Sequence, residues 1–154
     1  MTMNKIVGSS LPFSREARSL LKRIAFLLIP ESEEYELPGG DDDAIFAHFL
    51  KLASPQLTNI NQCLFELQKK SSDQHGDSFL QLQNNEQIAI LHTCPGLLEV
   101  LMPNIALAYY QDPRILTALS LKDSPPFPGG YAVDQGDWSL LDPVRKRKPL
   151  YRNP

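Results

Sequence analysis

The sequence predicts an all-α protein: a compact bundle of about six helices, followed by a long extended C-terminal arm rich in proline and aromatic residues. Three observations predict it. Apolar residues recur at three- and four-residue spacing through most of positions 14–121, the period of a helix with one buried face. Val and Ile rarely alternate with polar residues, so no strand pattern competes. Beyond position 124 the periodicity stops while large apolar side chains continue. The domain reading is therefore a helical body over 1–124 and an arm over 125–154, packing on the body, on a partner subunit, or on both.

Each helix has its own warrant. Ser14 caps a first helix, Glu16 favours the positive end of its dipole, and Ala17, Leu20, Leu21, Ile24, Ala25 and Leu28 form one stripe. Pro30 ends it, because the residue before a proline is biased out of the helical region. An acidic loop, ESEEYELPGG, spans 31–40, with turn chemistry in Leu37-Pro38-Gly39-Gly40. Asp41-Asp42-Asp43 then caps a second helix over about 42–53. Its apolar face is Ile45, Phe46, Phe49, Leu50 and Leu52, with His48 at the edge. Ser54-Pro55 reads as a cap and first-turn proline opening a third helix that reaches about Lys70. Leu57, Ile60, Leu64 and Leu67 align in it, with Cys63 and Phe65 beside them, and 71–77 reads as a polar loop.

A short turn carries Phe79, Leu80 and Leu82. Asn84 or Asn85 caps the next helix, with Ile88, Ile90, Leu91 and Cys94 apolar, and Pro95-Gly96 breaks it. Positions 97–110 are apolar nearly all round, the pattern of a central helix, which Pro103 should kink or divide. Asp112-Pro113 opens a last short helix with Ile115, Leu116, Leu119 and Leu121.

Composition narrows the function classes. At 154 residues the chain makes one domain with a real core. A net charge of −3 argues against nucleic-acid binding, which usually needs a basic face. No apolar run nears the ~18 residues of a membrane helix. The longest apolar run, 24–29, is shorter than a secretory core of roughly 7–15 residues and is followed by proline and acids. With no twin-arginine pair in the first twenty residues, the sequence places the chain in the cytoplasm. A periplasmic location requires an export signal that was trimmed or is supplied by the partner. Cys63 and Cys94 are too few for a disulfide framework and read as buried thiols; whether they pair stays open.

No reaction is written in the residues. His48, His75 and His92 with Cys63 and Cys94 lack the paired spacings of a zinc site. Gly39-Gly40 and Gly129-Gly130 are not phosphate-binding loops. Asp137-Trp138 and Asp142-Pro143 look like turn initiators rather than acid–base carboxylates. The basic run Arg145-Lys146-Arg147-Lys148 reads first as a solvated stretch and second as a docking element for an acidic protein face.

The arm is the informative segment. Prolines 125, 126, 128, 143 and 149 and glycines 129, 130 and 136 prevent a regular element of normal length. A disordered tail lacks large apolar groups, yet this one carries the only Trp. Candidate partner-binding residues are Phe127, Tyr131, Trp138, Leu140, Leu141, Arg145, Arg147, Tyr151 and Arg152; Trp, Tyr and Arg dominate interface hot spots.

Several segments together resemble the gluconate 2-dehydrogenase subunit 3 family. They are Leu20…Ile24…Leu28-Ile29-Pro30 with its acidic loop, Ala89-Ile90-Leu91, Tyr109-Tyr110-Gln111-Asp112-Pro113-Arg114, Pro125-Pro126-Phe127-Pro128-Gly129-Gly130-Tyr131, and Gly136-Asp137-Trp138-Ser139-Leu140-Leu141-Asp142-Pro143-Val144-Arg145 with Tyr151-Arg152. The resemblance implies a helical small (gamma) subunit with no cofactor and no catalytic residues of its own. Its expected partner is a large FAD-dependent dehydrogenase subunit of the GMC type, acting on a sugar, glycoside or polyol, with a cytochrome c subunit as a further candidate. The small subunit would help the flavoprotein fold, stay stable or be exported. Members commonly carry a twin-arginine signal, which this sequence does not show. The rival readings are a free-standing helical ligand-binding or interaction module, and a protein that meets nucleic acid or anionic lipid through 145–148.

Overall fold

Two units make up the chain, one ending at Asp123 and the other beginning at Ser124. A computed structural model describes residues 13–121 and 136–147. Among the described residues there are helices and a single isolated β-bridge but no strand.

In the first unit, α1 (Arg15–Leu28) begins where Ser14 Oγ accepts from the amide of Ala17 at 3.1 Å. It buries Ala17, Leu20, Leu21, Ile24 and Ala25 along one face. After Pro30 the acidic loop folds into a tight hairpin, with Ser32 and Leu37 exchanging backbone hydrogen bonds of 2.9 and 3.0 Å. Glu36 takes a left-handed φ of 52° to close it. The glycines at its end are required by a close approach. A Cβ on Gly40 would lie 2.9 Å from the Ala25 carbonyl oxygen, and the Gly40 amide donates to Ile29 O at 2.7 Å.

Helix α2 (Asp43–Ala53) is capped by Asp42, whose carboxylate accepts from the amides of Ala44 and Ile45. The sequence reading expects a fresh cap at Ser54. Instead Ser54 Oγ turns back to Lys51 O, and Ser54–Gln56 is a 3₁₀ turn leading directly into α3 (Leu57–His75). Helix α3 also runs past the expected loop start. Ser71 is buried, its hydroxyl donating to Asp77 O at 2.8 Å, and Gly76 ends the helix with a left-handed φ of 77°. The polarity of 72–75 marks an exposed last turn rather than a loop.

A 3₁₀ turn, Phe79–Gln81, inserts Phe79 into the core. Helix α4 (Asn84–His92) starts one residue earlier than expected, with Gln83 as N-cap and the Glu86 side chain accepting from its amide. Ile88, placed on the apolar side by sequence, is exposed. Gln87 is buried in its place. It donates to Phe79 O at 2.7 Å and accepts from Arg23 Nε at 2.8 Å, while Arg23 also holds Asn84. A buried amide satisfied on both sides costs little and ties α1 to α4.

Helix α5 (Pro95–Tyr110) is the hub, meeting α2, α3, α4 and α6 (Pro113–Ala118). Pro103 does not divide it. Pro103 and Glu99 are both on the exposed side, so the carbonyl left without its amide partner can bond water. Leu97, Leu101 and Ile105 join Leu21, Ile24, Ile45, Phe49, Ile60 and Leu67 in one core. No single described helix is long and apolar enough to cross a membrane; α4 and α5 together pass by length and composition but are bent by 105°.

The described part of the second unit is helical rather than extended: a 3₁₀ turn, Trp138–Leu141, followed by α7 (Asp142–Arg145). Asp137 starts it, accepting from the Ser139 amide at 2.9 Å, and Pro143 occupies the first turn of α7. The prolines that forbid a long element are compatible with two short ones.

Candidate partner-binding surfaces

The sequence nominates the Tyr-Tyr-Gln-Asp-Pro-Arg segment as distinctive, and the structure shows what these residues hold. Asp112 caps α6 by accepting from the Arg114 amide at 2.9 Å. The Arg114 guanidinium then bonds both oxygens of Asp112 and both oxygens of Asp42, at 2.7–3.1 Å. One arginine thus joins the caps of α2 and α6. Its hydrogen bonds hold both carboxyls below their ordinary range, and the two carboxylates push its own pKa up. Tyr109 adds a bond from its hydroxyl to Pro38 O at 3.1 Å, and burial raises its pKa. Lys22, paired with Asp43 at 2.7 Å, fixes the same corner to α1. Tyr109 pins the acidic loop to α5, while the ion pairs join α1, α2 and α6. They position structure, and no substrate atom is needed to explain them.

Among the described residues no group of three or more His, Cys, Asp or Glu is arranged to hold a metal ion. An open cleft of about 390 Å³ between α1 and α3 is lined by Ser14, Glu16, Asn61, Phe65 and Gln68, among others. Ser14, the only hydroxyl among its described lining residues, is engaged as a helix cap. Clefts of about 330 and 310 Å³ follow the acidic loop, beside Glu31 and Pro38. His48 and His92 line none of these three clefts.

Of the candidate partner-binding residues, Phe127, Tyr131, Tyr151 and Arg152 lie outside the described residues. The structure brings the other five together on the short helical segment of the second unit. Trp138 is 63% exposed, Leu140 75% and Leu141 41%, with Val144 alongside at 56%. Arg145 and Arg147 follow within two turns and are exposed too; Arg145 makes a loose pair with Asp142 at 3.6 Å. Four large apolar side chains beside two guanidinium groups have the composition of a hot-spot cluster.

A second apolar surface was missed by the sequence reading, which makes α5 central all round. Met102, Pro103, Leu107 and Tyr110 are exposed, and Ala106 is half-buried between them. Their spacing of 1, 3, 1 and 3 puts them on one stripe, about 12 Å long at the helical rise. The signal was present in those intervals, but the buried positions of the same helix are equally apolar, so periodicity could not separate the two faces. Comparison with known proteins returns no matching family model, no matching curated protein and no matching solved structure.

Proposed function

We propose that this chain is a non-catalytic small subunit that binds and stabilises the FAD-dependent catalytic subunit of a sugar, glycoside or polyol dehydrogenase. The observation that carries the reading is the exposed cluster of Trp138, Leu140, Leu141 and Val144 on a short helical segment flanked by arginines. Burial of such side chains against another protein gains roughly 25 cal/mol for each Å² of apolar surface removed from water. The stripe on α5 offers a second apolar contact of the kind that marks interaction sites. The identity of the partner comes from the likeness of the 109–114 and 125–145 segments to subunit 3 of gluconate 2-dehydrogenase. In this reading the flavin and the chemistry belong to the partner, and Arg114 serves the fold.

Co-production with a large GMC-type flavoprotein dehydrogenase, followed by size exclusion at moderate salt, tests the proposal. One co-eluting peak is expected. Deleting 125–154 should separate the two proteins while the far-ultraviolet circular dichroism of the body persists. Two separate peaks from the full-length chain would remove the reading.

A further inference from the structure

Cys63 and Cys94, whose pairing the sequence leaves open, lie at one place. Both line a cleft of about 150 Å³ between α3 and the turn that opens α5, with Glu66, Lys70, Thr93 and Leu97 around them. Cys63, Glu66 and Lys70 share one face of α3 by their spacing. Lys70 Nζ donates to Thr93 O at 2.6 Å and so holds the 93–94 turn against that face. Cys94, the N-cap of α5, is buried, whereas Cys63 is half-buried and reachable from solvent. Each sulfur has a distant polar neighbour, at 3.8 Å. Two thiols without a third ligand among the described residues do not make a zinc site.

We infer that Cys63 and Cys94 are an oxidation site, closing an intramolecular disulfide that fastens the start of α5 to the middle of α3. The co-reactant is a small disulfide such as oxidised glutathione. The Cys63 thiolate attacks one of its sulfurs, forming a mixed disulfide and expelling one glutathione thiolate. The Cys94 thiolate then attacks Cys63 Sγ and expels the second. Two protein thiols lose two hydrogens in total, and one oxidised glutathione becomes two reduced molecules. Burial, then the neighbouring Glu66 and Cys94, raise the Cys63 thiol. Attack is therefore slow at neutral pH and accelerates as pH rises.

The test uses the full chain, reduced and then incubated with oxidised glutathione. Intact mass should fall by about 2 Da, the two hydrogens lost. A non-reduced digest should contain the peptide pair joined through Cys63 and Cys94. Because the bond closes the long 63–94 loop, Tm should rise by roughly 10 °C and return on reduction. Cys63→Ser, at the half-buried position, should fold and lose both the mass change and the Tm rise. Cys94→Ser, at the buried position, serves as a second variant for the mass measurement. Stable glutathione adducts on both cysteines, a disulfide between two chains, or an unchanged mass would each overturn the inference. So would a bond that forms while Tm falls, since the native fold would then not bring the two sulfurs into bonding reach.

Discussion

Replacing Arg114 by alanine tests whether the junction between α2 and α6 is an electrostatic clamp. The variant loses the hydrogen bonds to Asp42 and Asp112, all between 2.7 and 3.1 Å. Half of the Arg114 side chain is exposed, so solvent and salt screen it. Two ion pairs of good geometry at such a surface amount to about 1–2 kcal/mol together, not the larger figures of buried pairs. The caps themselves survive, because Asp42 still accepts from Ala44 and Ile45. Urea unfolding followed at 222 nm, for wild type, Arg114→Ala, Asp42→Ala and the double variant, isolates the Asp42–Arg114 coupling; we expect about 0.5–1 kcal/mol. Molar salt should reduce it by half or more. Arg114→Lys should not restore it, since an ammonium cannot grip two carboxylates in a fork.

The pH dependence has a definite sign. Both carboxyls titrate lower in the fold than in the unfolded chain. Their contribution is complete above the unfolded value of about 3.9 and is lost as pH falls through the folded values. The stability gap between wild type and Arg114→Ala should therefore narrow steadily below about pH 4. A coupling energy of zero within error, or a gap that widens in acid, would refute the clamp.

Gly40→Ala should cost about 1–3 kcal/mol in the same assay, because its Cβ would stand 2.9 Å from the Ala25 carbonyl oxygen. Phe49→Ala, at a fully buried position between α2 and the rest of the core, should cost about 3–5 kcal/mol by urea unfolding. Met102→Glu and Leu107→Glu, on the open face of α5, should stay within about 0.5 kcal/mol of wild type. Trp138→Ala combined with Leu141→Ala should weaken capture of the flavoprotein at least tenfold, read by titration with the purified flavoprotein.

Much of the body was legible because its apolar spacing is regular and its helix starts carry short polar caps. Ser14, Asp42 and Asp112 sit where a local rule puts them, and Phe49, Leu67 and Ile105 are buried as their period implies. Local rules failed where a neighbour far along the chain settles the outcome. Ser71 looks like a loop residue until its hydroxyl finds Asp77 O, and Gln87 is polar yet buried because Arg23 and Phe79 satisfy it.

The chain's own pattern determined the helical class and the positions of most helices. Only the packed structure decided which side of α5 stays open, that Arg114 spans two helix caps, and that the two thiols share one cleft. The reason is physical. Periodicity and capping act between residues a few positions apart. An arginine reaching Asp42 across 72 positions, or an apolar helix face left exposed by the described residues, exists only once distant segments have come together.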